Sequence, residues 1–249
     1  MIILSAAVNR RPPKPFAFPM GRHARLVMPE VALHIYQRGN NRQDCFRRRN
    51  DFLVYLAILR DLCGTRPCAL HAYCLMTNHV HLLMTPQDAG VCARLMRDLS
   101  GCYASYFNRS YGRTGTLWEG RFASCLVESA LYVLGCYRYI ELNPVRARMV
   151  PDAVAYDWSS ARANVGLENS AELTPHPEYI ALAEVQSARQ RAYRTLLDLG
   201  DDPLVLTSLR EAASGGYPLV GEPLKAQLTT RGARLERRRP GPRKAKLSE

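Results

Sequence analysis

The chain has 249 residues, a net charge of +12 and a pI ≈ 9.6, which suits one sizeable domain plus an extension and favours a polyanionic partner. No apolar run is long enough to span a bilayer and no signal peptide is evident, so we expect a cytoplasmic protein without membrane contact. None of the eight cysteines forms a Cys-x-x-Cys pair, which argues against a zinc knuckle.

The two ends of the chain differ in composition from the middle. Residues 1–23 contain four prolines and predict an unstructured basic leader. Residues 231–249 contain eight Lys or Arg and two Glu, together with Pro240 and Pro242, and predict a disordered basic tail. Such a tail would add salt-sensitive affinity for phosphates, although a solvated tail with no specific role fits the same composition.

Apolar spacing predicts strands and helices in the order βαββαβα. The predicted elements are a strand at 32–37, a helix at 50–63, strands at 69–76 and 79–84, a helix at 89–107, a strand at 122–127 and a helix at 129–142. This order is typical of an α+β, ferredoxin-like antiparallel sheet with helices on one face, in which the first and third strands are neighbours. Two more helices, at 179–199 and 203–213, predict a helical C-terminal extension.

Two histidines on one predicted strand are candidate metal ligands. His79 and His81 are separated by one residue, so both side chains would project from the same face of the sheet. Two neutral imidazoles that close together form half of a divalent metal site, although two polar residues on a solvated face give the same pattern. His34 on the first strand would approach them, as a supporting or core residue rather than as a ligand.

A tyrosine and an asparagine share one face of the last predicted helix of the domain. Tyr139 and Asn143 are four residues apart and share a helix face, which would place a phenol one turn from an amide oxygen able to join a metal shell. Pro144 is expected to end or kink the helix. An isolated tyrosine in this position is more commonly an amphipathic residue at the edge of the core. Tyr132 and Tyr137 lie on the same predicted helix.

Arginines and one tryptophan near these positions are candidate contacts for the phosphates and bases of a polyanionic partner. Arginine binds phosphate through its planar guanidinium, and aromatic rings stack on unpaired bases. Trp118 fits a core anchor equally well, and Arg146 could simply solvate the end of a helix. The candidates are Arg38, Arg42, Arg47, Arg48, Trp118, Arg121 and Arg146.

Five blocks in a fixed order resemble the single-tyrosine HUH transposases, in particular the REP-associated tyrosine transposase group. They are Tyr-Gln-Arg-Gly-Asn at 36–40, Tyr-Cys-Leu-Met-Thr-Asn-His-Val-His-Leu-Leu at 73–83, Leu-Trp-Glu-Gly-Arg-Phe at 117–122, Arg-Tyr-Ile-Glu-Leu-Asn-Pro-Val-Arg-Ala at 138–147 and Trp-Ser-Ser-Ala at 158–161. The resemblance assigns 24–166 to the transposase domain and leaves 167–230 as a helical accessory segment. Thr77 departs from relatives that carry proline or another turn residue there.

The resemblance implies a metal-dependent DNA strand transferase. His79, His81 and Asn143 would hold Mg²⁺ or Mn²⁺, and Tyr139 would attack a phosphodiester of single-stranded or hairpin DNA. Tyr132 and Tyr137 are rival tyrosines for the role of nucleophile. The products would be a 5′-phosphotyrosine and a free 3′-OH, and REP-like repeats are the expected target. Relatives occur as monomers and as homodimers, so both states are expected.

Two other functions fit the same residues. The chain could be a domesticated, catalytically idle transposase that only binds DNA. It could also be a nuclease that activates water at a metal held by His79 and His81, in which case Tyr139 would be dispensable. Covalent attachment of DNA to Tyr139 distinguishes the transesterase from both.

Overall fold

The computed structural model describes residues 25–236, and the predicted leader at 1–23 and the tail beyond residue 236 lie outside them. The first half contains β1 (Ala32–Arg38), α1 (Arg49–Thr65), β2 (Cys68–Met76), β3 (His79–Pro86), α2 (Val91–Ser110), β4 (Ala123–Val127) and α3 (Ala130–Glu141). The second half contains α4 (Asn143–Arg146), α5 (Ala161–Asn164), α6 (Pro177–Ile180), α7 (Gln186–Asp198), α8 (Pro203–Gly215) and α9 (Glu222–Thr230). The predicted order βαββαβα is confirmed.

The sheet has the strand order β2-β3-β1-β4, and each neighbouring pair is antiparallel. Its two central strands, β1 and β3, are therefore the first and third strands of the chain, as the sequence predicts. The α+β class and the antiparallel sheet are confirmed. This pairing brings His34, Tyr36 and Arg38 of β1 next to the histidines of β3.

Helices cover both faces of the sheet, which corrects the expectation that they lie on one face. Ile35 and Leu82 pack with α1 and α2 in one core cluster. Leu83 and Cys74 pack with α3 and α8 in a second cluster. The physical reason is visible in β2, where nearly every residue is buried. A strand that is apolar on both faces needs a layer of structure on each side.

The C-terminal segment completes the second layer. Tyr193 and Leu197 of α7 and Leu209 of α8 belong to the same buried cluster as Ile140 of α3. The predicted helix at 179–199 is divided into α6 and α7, whereas the predicted helix at 203–213 corresponds to α8. Within the described residues, no helix combines the length and the hydropathy that a bilayer span requires.

A buried carboxyl group joins α3 to this segment. Glu141 is fully buried and accepts hydrogen bonds from Ser160 Oγ at 2.5 Å, Asn164 Nδ2 at 2.7 Å and Tyr193 Oη at 2.6 Å. Burial raises the pKa of Glu141 to about 7, although these three hydrogen bonds oppose the shift. The helix that carries Tyr139 is thus fixed to α5 and α7.

Candidate functional site

His79 and His81 lie on the face of β3 that α3 covers. In the sheet register, His81 is opposite Tyr36 and His79 is opposite Arg38. The Tyr36 ring packs against both imidazoles, with centroid separations of 5.5 Å from His79 and 5.0 Å from His81. The two imidazoles are themselves 5.0 Å apart between ring centroids. Strand geometry therefore places two nitrogen donors side by side.

Asn78 fixes the tautomer of His79. Its Oδ1 lies 2.6 Å from His79 Nδ1, and its Nδ2 donates to the carbonyl oxygen of Arg42 at 3.2 Å. The contact with a carbonyl identifies the nitrogen end of the amide, so the oxygen end faces His79 and can only accept. His79 Nδ1 therefore carries the proton, and Nε2 keeps a lone pair for a metal ion.

His34 plays the corresponding role for His81. Its Nε2 lies 2.9 Å from His81 Nδ1, and the two rings are stacked with centroids 5.1 Å apart. One of the two nitrogens must donate the proton. When His81 Nδ1 donates, His81 Nε2 keeps a lone pair, and this is the tautomer that can bind a metal ion.

All three histidines are neutral at physiological pH. Burial lowers the pKa of His34 to about 3 and that of His79 to about 4. Burial also places the pKa of His81 well below its ordinary value, with smaller contributions from His34, His79 and Arg146. Neutral imidazole is the form that binds metal ions, so the site needs no deprotonation step before a cation enters.

Tyr139 faces these histidines from the last turn of α3. Its ring meets the His34 ring edge-on at 5.3 Å and the His81 ring edge-on at 5.4 Å. The residue is 8 % exposed, and burial raises the pKa of Tyr139, with the charge of Arg146 opposing that shift. A phenol in this environment stays protonated and is a weak nucleophile unless the substrate is activated.

The rival tyrosine Tyr137 lies elsewhere, and Tyr132 is partly buried against the second core cluster. Tyr137 is fully buried between Tyr179 and Tyr193, and its hydroxyl accepts a hydrogen bond from the backbone N–H of His176 at 3.2 Å. Tyr137 and Tyr139 point to different sides of α3, as their spacing of two residues predicts. Of these tyrosines, the structure brings Tyr139 to the histidines.

Asn143 begins α4, one turn after Tyr139. Its Nδ2 donates to the carbonyl oxygens of Tyr139 at 3.0 Å and Ile140 at 3.3 Å, so the side chain caps the end of α3. Within residues 25–236, no three His, Cys, Asp or Glu side chains are grouped to hold a metal ion. The candidate donors predicted from the sequence are two imidazoles and one amide oxygen. This set fits a divalent cation whose remaining positions go to phosphate oxygens and water.

The candidate DNA-contacting arginines occupy different environments. Arg38 forms an ion pair with Glu119 at 2.6 Å and is partly buried. Arg42 is exposed in a tight 3-10 turn, and Arg121 is exposed beside the loop before β4. Arg47 and Arg48 are exposed, with their guanidinium groups 4.9 and 5.4 Å from the Tyr111 ring centroid.

Trp118 occupies the core rather than an exposed surface. It is 8 % exposed, and its Nε1 donates to the carbonyl oxygen of Ser100 at 3.1 Å. Its ring packs near Tyr103, with centroids 6.0 Å apart. Of the two interpretations that the sequence allowed, this placement favours the core anchor over base stacking.

Arg146 points towards Tyr139. Its guanidinium lies 4.8 Å from the Tyr139 ring centroid, and its Nη2 donates to the Tyr139 carbonyl oxygen. Its Nη1 forms an ion pair with Asp201 at 2.5 Å. Two of the three guanidinium nitrogens of Arg146 are therefore engaged within the protein.

Sequence reasoning did not assign roles to Asn78, Tyr36 or Asp201. The position of Asn78 directly before His79 was a usable signal, because an adjacent amide can reach the ring. Tyr36 lies two residues after His34 and therefore on the same strand face. No local signal identifies Asp201, because its contact with Arg146 spans 55 residues.

Comparisons with known proteins agree with the fold and with the motifs. Residues 28–143 match the family described as transposase, IS200 like, and this confirms the resemblance predicted from the sequence. A structure of a REP-associated tyrosine transposase bound to a REP hairpin shares 17 % identity at a TM-score of 0.50, over 64 % of this chain and 96 % of that one. A crystal structure of a putative transposase from Deinococcus radiodurans R1 shares 20 % identity at a TM-score of 0.33, over 52 % and 92 % of the two chains. No curated protein matches the chain.

Proposed function

We propose that this chain is an IS200-like tyrosine transposase that cleaves and rejoins single-stranded or hairpin DNA through a 5′-phosphotyrosine at Tyr139. The observation that carries the proposal is the edge-on contact of the Tyr139 ring with the His34 and His81 imidazoles. It brings the predicted nucleophile to the predicted metal ligands, although 58 residues separate Tyr139 from His81 in the sequence. The family match over residues 28–143 supports the same conclusion.

In this proposal His79 and His81 hold Mg²⁺ or Mn²⁺ through Nε2, and Asn143 is the third ligand. A divalent cation supplies charge neutralisation on the scissile phosphate, which a phenol with an ordinary pKa of about 10 needs. The Tyr139 hydroxyl oxygen forms a bond to phosphorus while the bond from phosphorus to the 3′ oxygen breaks. The phenolic proton passes to solvent, and the leaving 3′ oxygen takes a proton from solvent to become a hydroxyl group. Attack by a 3′-OH reverses the step without ATP.

We assign DNA binding to the basic surface around the β1–α1 connection. Arg42, Arg47, Arg48 and Arg121 are exposed and are the proposed phosphate contacts, and Arg38 contributes charge while it pairs with Glu119. Because one solved relative is bound to a REP hairpin, hairpins flanking the gene are the first substrates to test. The candidate site residues all come from one chain, so a monomer and a homodimer are both compatible with the proposal.

The proposal is tested by covalent trapping. The protein is incubated with end-labelled hairpin and single-stranded DNA and with Mn²⁺, and products are separated under denaturing conditions. We expect a metal-dependent protein–DNA adduct that Tyr139→Phe abolishes. Tyr132→Phe is the matched control, because it removes another hydroxyl from the same helix and should keep the adduct.

Each alternative function gives a different result in the same experiment. Cleavage without an adduct, unchanged in Tyr139→Phe, would indicate a nuclease that uses a metal-bound water. Binding without cleavage or adduct across the whole set of hairpins would indicate an idle DNA-binding protein. Either result would reject the transesterase.

A further inference from the structure

The ion pair between Arg146 and Asp201 joins the candidate nucleophile to the C-terminal segment. Arg146 is 19 % exposed and Asp201 is 13 % exposed, so the pair is largely shielded from water. The same guanidinium contacts both the ring and the carbonyl oxygen of Tyr139. Both residues lie beyond the stretch that matches the transposase family, which ends at Asn143.

Close packing of α8 on α3 fixes the position of Asp201. Asp201 lies in the connection between α7 and α8, directly before the residue that caps α8. In α3, a Cβ added at Gly135 would lie 2.6 Å from Val205 Cγ1, so the glycine permits a close approach of the two helices. The carboxylate is therefore held at a defined place relative to the end of α3, where Tyr139 lies.

The pair also restrains the backbone at the end of α3. The Tyr139 carbonyl oxygen accepts from both Arg146 Nη2 and Asn143 Nδ2 at a point where helical hydrogen bonding ends. The guanidinium over the ring face adds an attraction between the cation and the aromatic quadrupole. One arginine thus restrains the ring and the backbone of the same residue.

We propose that Asp201 is a positioning residue for the transfer reaction, because it holds Arg146 against Tyr139 and thereby sets the orientation of the nucleophile. The segment at 186–215 is then a part of the catalytic centre, in addition to any contact that it makes with DNA. This inference rests on the proposed role of Tyr139 as the nucleophile. In this proposal Arg146 contacts the nucleophile Tyr139 instead of a DNA phosphate.

The first test compares Asp201→Asn with wild type in adduct formation and in hairpin binding. A displacement of the nucleophile by a fraction of an ångström lowers rates steeply, so we expect the rate constant of adduct formation to fall about tenfold to a hundredfold. The hairpin Kd should stay within about twofold, since Asp201 does not touch DNA in this scheme. Asp201→Glu should restore part of the rate. Asp198→Asn, which removes a carboxylate paired with Arg194 on the same segment, should leave it unchanged.

If Arg146 instead binds a DNA phosphate, the same variant should give a different result. If Arg146 binds a DNA phosphate and Asp201 only competes for it, Asp201→Asn should bind the hairpin more tightly, and adduct formation should not slow. That result would overturn the inference. Equal rates for wild type and Asp201→Asn would overturn it as well.

A second readout does not depend on activity. Hydrogen exchange of the DNA-free protein should become faster over residues 138–148 in Asp201→Asn. Exchange of β3 in that variant should match wild type. Exchange over residues 138–148 in Asp198→Asn should also match wild type. If wild type forms no adduct with any substrate, the proposed function fails, and this measurement still decides the structural link. Unchanged exchange over 138–148 would reject the link itself.

Discussion

At the scale of single residues, the candidate metal site depends on two neighbours of its ligands. Asn78 fixes the proton of His79 on Nδ1, and His34 offers the same possibility to His81. Asn78 accepts from its ligand, and when His34 accepts from His81 as well, Nε2 of each ligand is left free. The His-x-His motif supplies the ligands, and these two residues determine whether the ligands present a lone pair.

We expect His34→Phe to weaken Mn²⁺ binding by about tenfold to a hundredfold, because the ring then offers His81 Nδ1 no acceptor. Isothermal titration with Mn²⁺ on the DNA-free protein measures the effect. His34→Gln is the control, because a glutamine oxygen can accept from Nδ1 and should retain more affinity than phenylalanine. Equal Mn²⁺ affinity in wild type and His34→Phe would contradict the assigned role.

At the scale of elements, the connection after β1 is shaped by a close backbone approach. A Cβ at Gly39 would lie 2.2 Å from the carbonyl oxygen of Gln43, and the Gly39 N–H donates to Asn78 O at 2.8 Å. This short turn holds Arg38 and Arg42 next to the β2–β3 turn, where the candidate ligands begin. The geometry of this turn therefore links the positions of Arg38 and Arg42 to those of His79 and His81.

We expect Gly39→Ala to destabilise the protein by about 1 to 3 kcal/mol, because backbone must move to admit the methyl group. Urea unfolding measures the change in free energy. Gly64→Ala is the matched control in α1, where an added Cβ meets nothing within 4 Å and should be neutral or slightly stabilising. An equal effect of the two substitutions would contradict the close-approach argument.

The sequence could predict the features that follow from local spacing, but not those that depend on long-range packing. The strands, the shared face of His79 and His81 and the orientation of Tyr139 away from Tyr137 all follow from spacing along one element. The second helical layer was missed, although the run at 69–76, which is apolar except for His71, was a sign that both faces of β2 are buried. The ion pair of Arg146 with Asp201 depends on how α8 packs on α3, which no local pattern encodes.

At the scale of the whole molecule, Glu141 makes stability depend on pH. Burial raises the pKa of Glu141 to about 7 from an ordinary value of 4.5, so the folded state binds this proton more tightly than the unfolded state does. The stabilisation is fully present below about pH 4.5 and is lost as the pH rises through about 7. The full difference is about 3 kcal/mol.

We expect the free energy of unfolding of wild type to fall between pH 5 and pH 8 by roughly 2 to 3 kcal/mol more than that of Glu141→Gln. Urea unfolding at several pH values measures both, and the comparison with the variant cancels the titration of other groups. Glu184→Gln, at an exposed carboxyl of the same region, should follow wild type. Parallel curves for wild type and Glu141→Gln would refute the assignment.

The partners of Glu141 have a consequence for how this chain can be divided. Ser160, Asn164 and Tyr193 all lie after Asn143, where the family match ends, so the matched stretch alone would leave a carboxyl group in the interior without its donors. Deletions or gene fusions that separate the two halves would carry that cost at once. The matched stretch and the extension of this chain therefore share one interior, and we expect them to fold as one unit.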